Sequence, residues 1–450
     1  MTNWSPSGFL RDQAGVPYPA GGKSVRAHRS ASPRIFRDIG VWLATAAFAV
    51  LFAAPALAQQ QLPSEEIEVA KRPRPEFDPL GIHLGGFFLY PSLAVSEAYN
   101  DNIFATERNE KDDFITVISP TARVQSTWSN HELHADAGAH VGRYISHDDE
   151  DYKDLFGDIG GRLDITRDSK VFLDGGYAHL HEDRSSPDDA GGTKPTTYDK
   201  AQLNGAFSQQ FNRFLGRLEL RSDHLAYNDV PSTTGTIRNG DRDRFDYEEA
   251  VRLSYEFIDN YHAFLRGALR QARYDDDVDR NGFDRNSNGY KLDAGISVDL
   301  TGLLSVEAHL GYLSVDFSDS RLQTVDGLSA GLLGTWNVTR LTTIKADIDR
   351  DVQPTTLNGA AAELDTGGFL SVDHELLRNL ILSGRLGYTR SEFTGIARND
   401  DIYDAGLSAK YLIGRGLAVV GSYNFDKRDS NVNGASYDRN LVMLRVSYGL

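Results

Sequence analysis

The chain has 450 residues, with 42 glycines, 20 tyrosines, 22 phenylalanines and no cysteine, which excludes disulfide frameworks, thiolate metal sites, cysteine nucleophiles and a lipid anchor on an N-terminal cysteine. Its formal charge of −17, from 64 acidic against 47 basic residues, leaves no dominant basic stripe and excludes nucleic acid as a partner. Only one stretch approaches the roughly 20 apolar residues that a membrane-spanning helix requires, so a multi-span helical membrane protein is excluded as well.

That stretch comes early. Residues 1–33 are basic and polar, with no hydrophobic periodicity. Arg34 and Arg37 then precede an apolar core running from Val41 to Ala54, closed by Ala56-Leu57-Ala58 before Gln59. A charged start, a short apolar core and small residues at an A-x-A site are the parts of a secretory signal peptide, cut after Ala58. The stretch ahead of Arg34 is longer than a signal needs, as an early-assigned start codon would leave it. Removing 1–58 makes the mature chain more acidic still.

Residues 59–85 are punctuated by Pro63, Pro73, Pro75 and Pro79, with charge in Glu65, Glu66, Lys71 and Arg72. Such a segment cannot bury enough apolar surface to fold alone, and it reads as an extended periplasmic leader. It is too short for a plug domain.

From Gly86 to Leu450 the pattern becomes period two. Leu133, Ala135, Ala137, Ala139 and Val141 alternate with His134, Asp136, Gly138 and His140. Tyr290, Leu292, Ala294, Ile296, Val298 and Leu300 alternate with Lys291, Asp293, Gly295, Ser297 and Asp299. The same rhythm returns at 158–165, 245–256, 403–411 and 442–450. Period two places each apolar set on one face of a strand. The connections alternate too. Short ones (Ser129-Asn130, Arg167-Asp168-Ser169, Asp259-Asn260, Thr301-Gly302, Arg378-Asn379, Gly414-Arg415) interleave with long polar ones at 99–112, 146–154, 181–197, 228–243, 275–288, 318–324, 351–362, 391–401 and 426–436. This is the connectivity of an all-β, single antiparallel up-and-down transmembrane barrel of about 18 strands, an even number that returns both ends to the periplasmic side.

A soluble sandwich or propeller would also alternate. Three features favour the membrane. The apolar faces mix Leu and Val with Ala and Gly; Tyr388, Tyr403, Tyr411 and Tyr423 sit toward strand ends; and Trp128 and Trp336 precede short turns, as interfacial aromatics do. The chain also ends in an alternating strand, Val442 to Leu450, of the kind that barrel-assembly machinery takes up. Outer-membrane lipid and that machinery are therefore the expected partners, and the cell outer membrane the expected location.

The residues at the barrel's start resemble a known family. Arg72-Pro73-Arg74-Pro75-Glu76-Phe77-Asp78-Pro79-Leu80-Gly81, then Gly85-Gly86-Phe87-Phe88-Leu89-Tyr90-Pro91-Ser92-Leu93, then Tyr99-Asn100-Asp101-Asn102-Ile103-Phe104 are similar to the opening of the outer-membrane β-barrel porins of Gram-negative exopolysaccharide loci. The resemblance continues to Leu450 as loop–strand rhythm. It implies a porin-like conduit, exopolysaccharide export and periplasmic export components as further partners. It supplies no catalytic residues and no cofactor.

The polar faces line the expected lumen: His134, Asp136, Asp158, Arg162, Asp164, Arg217, Glu219, Arg221, Arg252, Arg266, Arg270, Asp293, Glu307, His309, Lys345, Asp347, Arg385, Lys410 and Arg445. Both signs are interleaved, whereas a strongly ion-selective pore would carry one sign in rings. A general diffusion porin for small polar solutes fits the same wall, and a structural or adhesive barrel is the third reading. Asp277-Val278-Asp279-Arg280-Asn281-Gly282 opens like a calcium loop, but its twelfth position is Asn288 and helices do not flank it. No G-x-S-x-G or H-E-x-x-H occurs to single out a catalytic serine or a metal-bound histidine pair, so an enzyme is not expected.

Overall fold

The structure, a computed structural model, describes residues 68–300 and 303–450. The expected signal segment, residues 59–67 and the Thr301-Gly302 turn lie outside the described residues. Eighteen long strands form one closed antiparallel sheet. They are β1 (Phe87–Asn100), β2 (Asp113–Ser126), β3 (Glu132–Tyr144), β4 (Tyr152–Asp164), β5 (Ser169–His181) and β6 (Thr197–Phe211). Next come β7 (Phe214–Tyr227), β8 (Arg244–Ile258), β9 (Tyr261–Tyr274), β10 (Ser287–Leu300), β11 (Leu304–Phe317) and β12 (Val325–Thr339). The last six are β13 (Thr342–Pro354), β14 (Ala362–Leu377), β15 (Leu380–Phe393), β16 (Arg398–Gly414), β17 (Leu417–Ser430) and β18 (Tyr437–Gly449).

Each strand pairs with its neighbours in sequence, and β1 closes the ring on β18 in a register from Ser92↔Gly449 to Asn100↔Leu441. Leu450 completes the seam by donating its amide to Pro91 and accepting from Gly81. No edge is left, which is the only way a sheet can satisfy its backbone in hydrocarbon.

Period two decides the two faces. In β10, Leu292 is 57% exposed and Ile296 51%, while Lys291 and Asp293 are buried. Leu133, Leu163, Leu203, Leu220, Leu265, Leu310, Leu386, Leu407 and Leu444 keep the same phase on their strands. Ion pairs between non-adjacent strands, such as Arg252–Glu307 at 2.7 Å, lie on the opposite face. That face is the inside.

Tight turns close one end, among them Asn212–Arg213 and Arg340–Leu341, which have no counterpart in the sequence reading. Asn212 and Asn260 take the left-handed conformation at φ 53° and 69°, which asparagine tolerates better than most residues. The long-loop end differs from expectation in one respect: strands run further than the apolar alternation. The connection expected at 391–401 shrinks to 394–397, and that expected at 426–436 shrinks to 431–436. Outward charges there, including Lys427–Asp429 and Arg390–Asp401, place the upper walls above the hydrocarbon, where ladder pairing continues but apolar side chains are no longer needed. Just below, outward tyrosines form a girdle whose hydroxyls donate to acids on the next strand: Tyr177 to Asp199, Tyr312 to Asp326 and Tyr388 to Asp401. At the turn end, Trp128 and Trp336 are about half exposed.

A direct check of the register compares two neighbouring positions. Ile296→Arg, which faces lipid, is expected to lower barrel stability in a denaturant titration by about 2–4 kcal/mol. Ser297→Arg, which faces inward, should leave the midpoint nearly unchanged and alter conductance instead.

Candidate functional site

The site is the lumen and its two ends. Of the residues expected to line the lumen, His134, Asp136, Arg162, Asp164, Arg217, Glu219, Arg252, Arg266, Asp293, Glu307, His309, Lys345, Asp347, Arg385, Lys410 and Arg445 lie in the inward phase of their strands. So do Asp158, Arg221 and Arg270.

The signs do more than interleave; they pair. An Arg two residues before an acid on one strand shares its face, and three such pairs close on β7 and β8: Arg217–Glu219 at 2.7 Å, Arg221–Asp223 at 2.7 Å and Arg244–Asp246 at 2.9 Å. Arg162–Asp164 repeats the device on β4 at 3.0 Å. Longer links run across staves. Arg266 reaches Glu248 at 2.6 Å and Glu219 at 3.3 Å, and Arg270 joins Glu248 to Asp351 of β13. Along β7–β9 Glu219, Asp223, Asp246 and Glu248 therefore each have a guanidinium beside them.

Inward phenylalanines were missed in the sequence. Phe172, Phe264 and Phe369 sit in the polar phase of β5, β9 and β14, each under a guanidinium: Arg217 at 5.4 Å, Arg252 at 3.7 Å and Arg385 at 4.4 Å from the ring centroid. Cation–π contact explains their position. The readable signal was an aromatic at an even-spaced polar position with an inward Arg on an adjoining strand, for Phe264 and Phe369, or one strand further on, for Phe172.

At the loop end, residues 182–196 fold over the lumen. Glu182 binds Arg242 through two hydrogen bonds of 2.6 and 2.9 Å, and Arg242 stacks 3.4 Å over Tyr227. Asp183 meets Arg439 of β18, and Ser185 accepts from Arg428 of β17 at 2.8 Å. Asp188 accepts from Thr355 and Thr356 between β13 and β14. A segment that leaves β5 and reaches the connection after β13 has passed eight staves of eighteen, nearly half the circumference. It crosses the mouth as a strap rather than following the rim. The Asp279 loop holds the far anchor. Asp279 accepts the amides of Asn281 and Phe283, and its carboxylate binds Arg285 at 2.5 Å. Arg285 in turn donates to the carbonyls of Thr355, Leu357 and Ala360. The charge that a calcium ion would supply to Asp279 comes from arginine.

At the turn end, residues 68–79 lie inside the mouth instead of extending away from it. Val69 is fully buried against Ile381, Leu412 and Ala418, with Phe77 packed beside them. Glu68 pairs with Lys345 at 2.5 Å, and the Val69 amide donates to Thr343. Arg74 and Glu375 form a buried ion pair at 2.7 Å. Gly416 donates to the Phe77 carbonyl at 2.7 Å; it sits at φ +70°, and a Cβ there would meet the Gly449 carbonyl. Glu76 adds a third ion pair with Arg378 at 2.7 Å. The segment cannot fold by itself, but two apolar side chains and three ion pairs suffice once the barrel supplies the other half of each contact.

Two predictions follow from these anchors. Removing one partner of a buried pair costs about 3–5 kcal/mol, so Glu375→Ala should release residues 68–79, seen as new protease cleavage there and a raised single-channel conductance. In the strap, burial pushes the Asp189 carboxyl up to about 6, with Arg184 opposing. Burial also opposes ionisation of Asp183, but Arg439 and Ser185 outweigh it and hold that carboxyl below its ordinary value. A raised acid binds more protons folded than unfolded, so Asp189 stabilises the seated strap below its ordinary pKa of 3.8 and loses that contribution as pH rises through about 6. Asp183 is already ionised across that window. Strap-opening events in bilayer recordings should therefore be more frequent at pH 7 than at pH 5, and Asp189→Asn should flatten the difference. A variant keeping the wild-type pH response would refute the assignment.

The sequence pattern of the family described as "Putative beta-barrel porin 2" matches residues 74–449. Among solved structures, the chain is similar to Pseudomonas aeruginosa OccK2 (OpdF), at 13% identity and a TM-score of 0.44, covering 82% of this chain and 98% of that one. It is similar to OpdO of the same organism at 15% identity and a TM-score of 0.43, covering 81% and 97%. A mutant of the ferric enterobactin receptor PfeA, also from Pseudomonas aeruginosa, reaches a TM-score of 0.46 at 8% identity, covering 80% of each chain. No curated protein matches.

Proposed function

Because the chain belongs to the family described as "Putative beta-barrel porin 2", and is an outer-membrane channel-type protein rather than an enzyme, we propose that it is a passive conduit for an exported polysaccharide. The observation that carries this reading is the self-neutralised inner wall along β7–β9. Guanidinium–carboxylate pairs there present hydrogen-bond donors and acceptors without a ring of one sign. A hydrated sugar chain needs such a wall, which binds each residue weakly enough to let it move on. Three of the inward phenylalanines lie under guanidinium groups, so those ring faces are not open tracks on which a sugar would stall. Export components in the periplasm are the implied partners, and they would meet the turn end that residues 68–79 line.

A second reading, diffusion of small polar solutes, draws on the strap at 182–196. A segment across the mouth narrows the path and suits small solutes as long as it stays seated.

A deletion strain separates the two. Export predicts loss of surface polysaccharide with unchanged uptake of small sugars and antibiotics. Normal polysaccharide with reduced small-solute uptake would replace the first reading by the second, and no change in either would overturn both.

A further inference from the structure

We propose that the inner wall of β3–β5 holds a divalent transition-metal cation, bound by His134, Asp158 and Asp174. The three side chains come from adjacent staves, and one ligand atom from each lies within 4.8 Å of the others. Among the described residues no other such group of His, Asp or Glu occurs.

The imidazole is what distinguishes this cluster from an ordinary acidic patch. His134 is only 6% exposed, its Nδ1 has no hydrogen-bond partner, and its Nε2 stops 3.9 Å from the Asp174 carboxylate. A buried imidazole normally satisfies both nitrogens. In the other histidine–aspartate pairs Nδ1 meets its carboxylate at hydrogen-bond length: His181–Asp154 at 2.9 Å, His147–Asp113 at 2.9 Å and His179–Asp199 at 2.8 Å. The longer separation at His134 is too wide for a hydrogen bond. With a small inward adjustment it leaves room for an ion at about 2.0–2.2 Å from each ligand atom.

The surroundings agree. Where Glu219, Asp223, Asp246 and Glu248 on β7 and β8 are each matched by arginine, no arginine or lysine forms an ion pair with Asp158 or Asp174 among the described residues. Asp136 pairs in register with Asp158 and adds a third carboxylate, offset only by Arg123 at 3.8 Å. Among the described residues Asp158 and Asp174 thus lack the arginine ion pair that Asp136 and Asp164 have. Gly160 lies between His134 and Asp174 in the register, and a Cβ there would come 2.6 Å from the Asp174 carboxylate and 2.8 Å from Nε2. Glycine thus keeps the floor of the cradle clear. Asn204 donates to the other Asp174 oxygen at 3.4 Å, a contact of the kind that orients metal-binding carboxylates. One imidazole with two carboxylates suits Zn²⁺, Mn²⁺ or Fe²⁺ better than Mg²⁺ or Ca²⁺, which prefer oxygen alone.

The test uses the full-length mature barrel in detergent, titrated with zinc chloride against a competing chelator that suppresses weak surface binding. Wild type should take up one equivalent. His134→Gln and Asp158→Asn should each weaken that uptake by at least about tenfold, while Asp299→Asn, elsewhere on the inner face, should not. Heat-modifiable migration confirms that each variant is folded. Should a variant fail to fold, X-ray absorption of zinc-loaded wild type decides alone, through an imidazole shell at about 2.0 Å. Absence of a one-equivalent site, equal uptake by His134→Gln and Asp158→Asn, or an all-oxygen shell would each overturn the proposal.

Discussion

Everything in this protein depends on the pairing of β1 with β18. A strand in hydrocarbon cannot leave its amides and carbonyls unsatisfied, and water is not available to replace a missing partner. Closing the ring meets that demand for all eighteen strands at once, so the first and last strands are as tightly specified as the middle ones. The contacts around the seam reflect this. Leu450 exchanges backbone hydrogen bonds with Gly81 and Pro91, and Gly416 is held between the Phe77 carbonyl and Gly449. The segment at 68–79 is thereby tied to the same backbone ladder that closes the barrel.

Closure also explains what could be read from sequence. A strand between lipid and a polar interior has no freedom in which face is apolar, so the alternation at 133–141 and 290–300 is legible residue by residue. A one-residue slip would put Asp293 into lipid. The tight turns were less legible. Asn212–Arg213 sits between Phe211 and Phe214, and Arg340–Leu341 between Thr339 and Thr342, so residues common in strands run up to each turn on both sides. Loop boundaries failed for the opposite reason. Above the bilayer nothing requires apolar residues outward, so Asp401, Lys427 and Asp429 read as loop while their backbones remain in the ladder.

What sequence could not disclose was contact between distant segments. Arg74 with Glu375, Asp183 with Arg439 and Asp188 with Thr355 join residues 167 to 301 positions apart. Each is an unremarkable polar residue in its own neighbourhood. The inward charges are an intermediate case. Their phase is legible, and the R-x-[DE] spacing of Arg217-Leu218-Glu219 and Arg221-Ser222-Asp223 announces a pair on one face. The links from Arg266 and Arg270 across staves depend on curvature, which no local pattern contains.

The two sides of the inner wall show what pairing accomplishes. A lumen is too polar to be a hydrophobic core and too confined for bulk water to hydrate every charge, so an inward carboxylate needs either a cation or space. On β7–β9 arginine supplies the cation, and the resulting pairs stiffen the wall by linking β7 to β9 and β9 to β13. On β3–β5 Arg162 holds Asp164 and Arg123 of β2 approaches Asp136, but the basic group beside Asp158 and Asp174 is an imidazole without a hydrogen-bonded partner. The lumen is therefore asymmetric, braced on one side by ion pairs that link staves and left on the other with two carboxylates that have no arginine or lysine partner among the described residues. A solute crossing the barrel passes between these two walls, and the unbraced one is where a mobile cation has most to gain by binding.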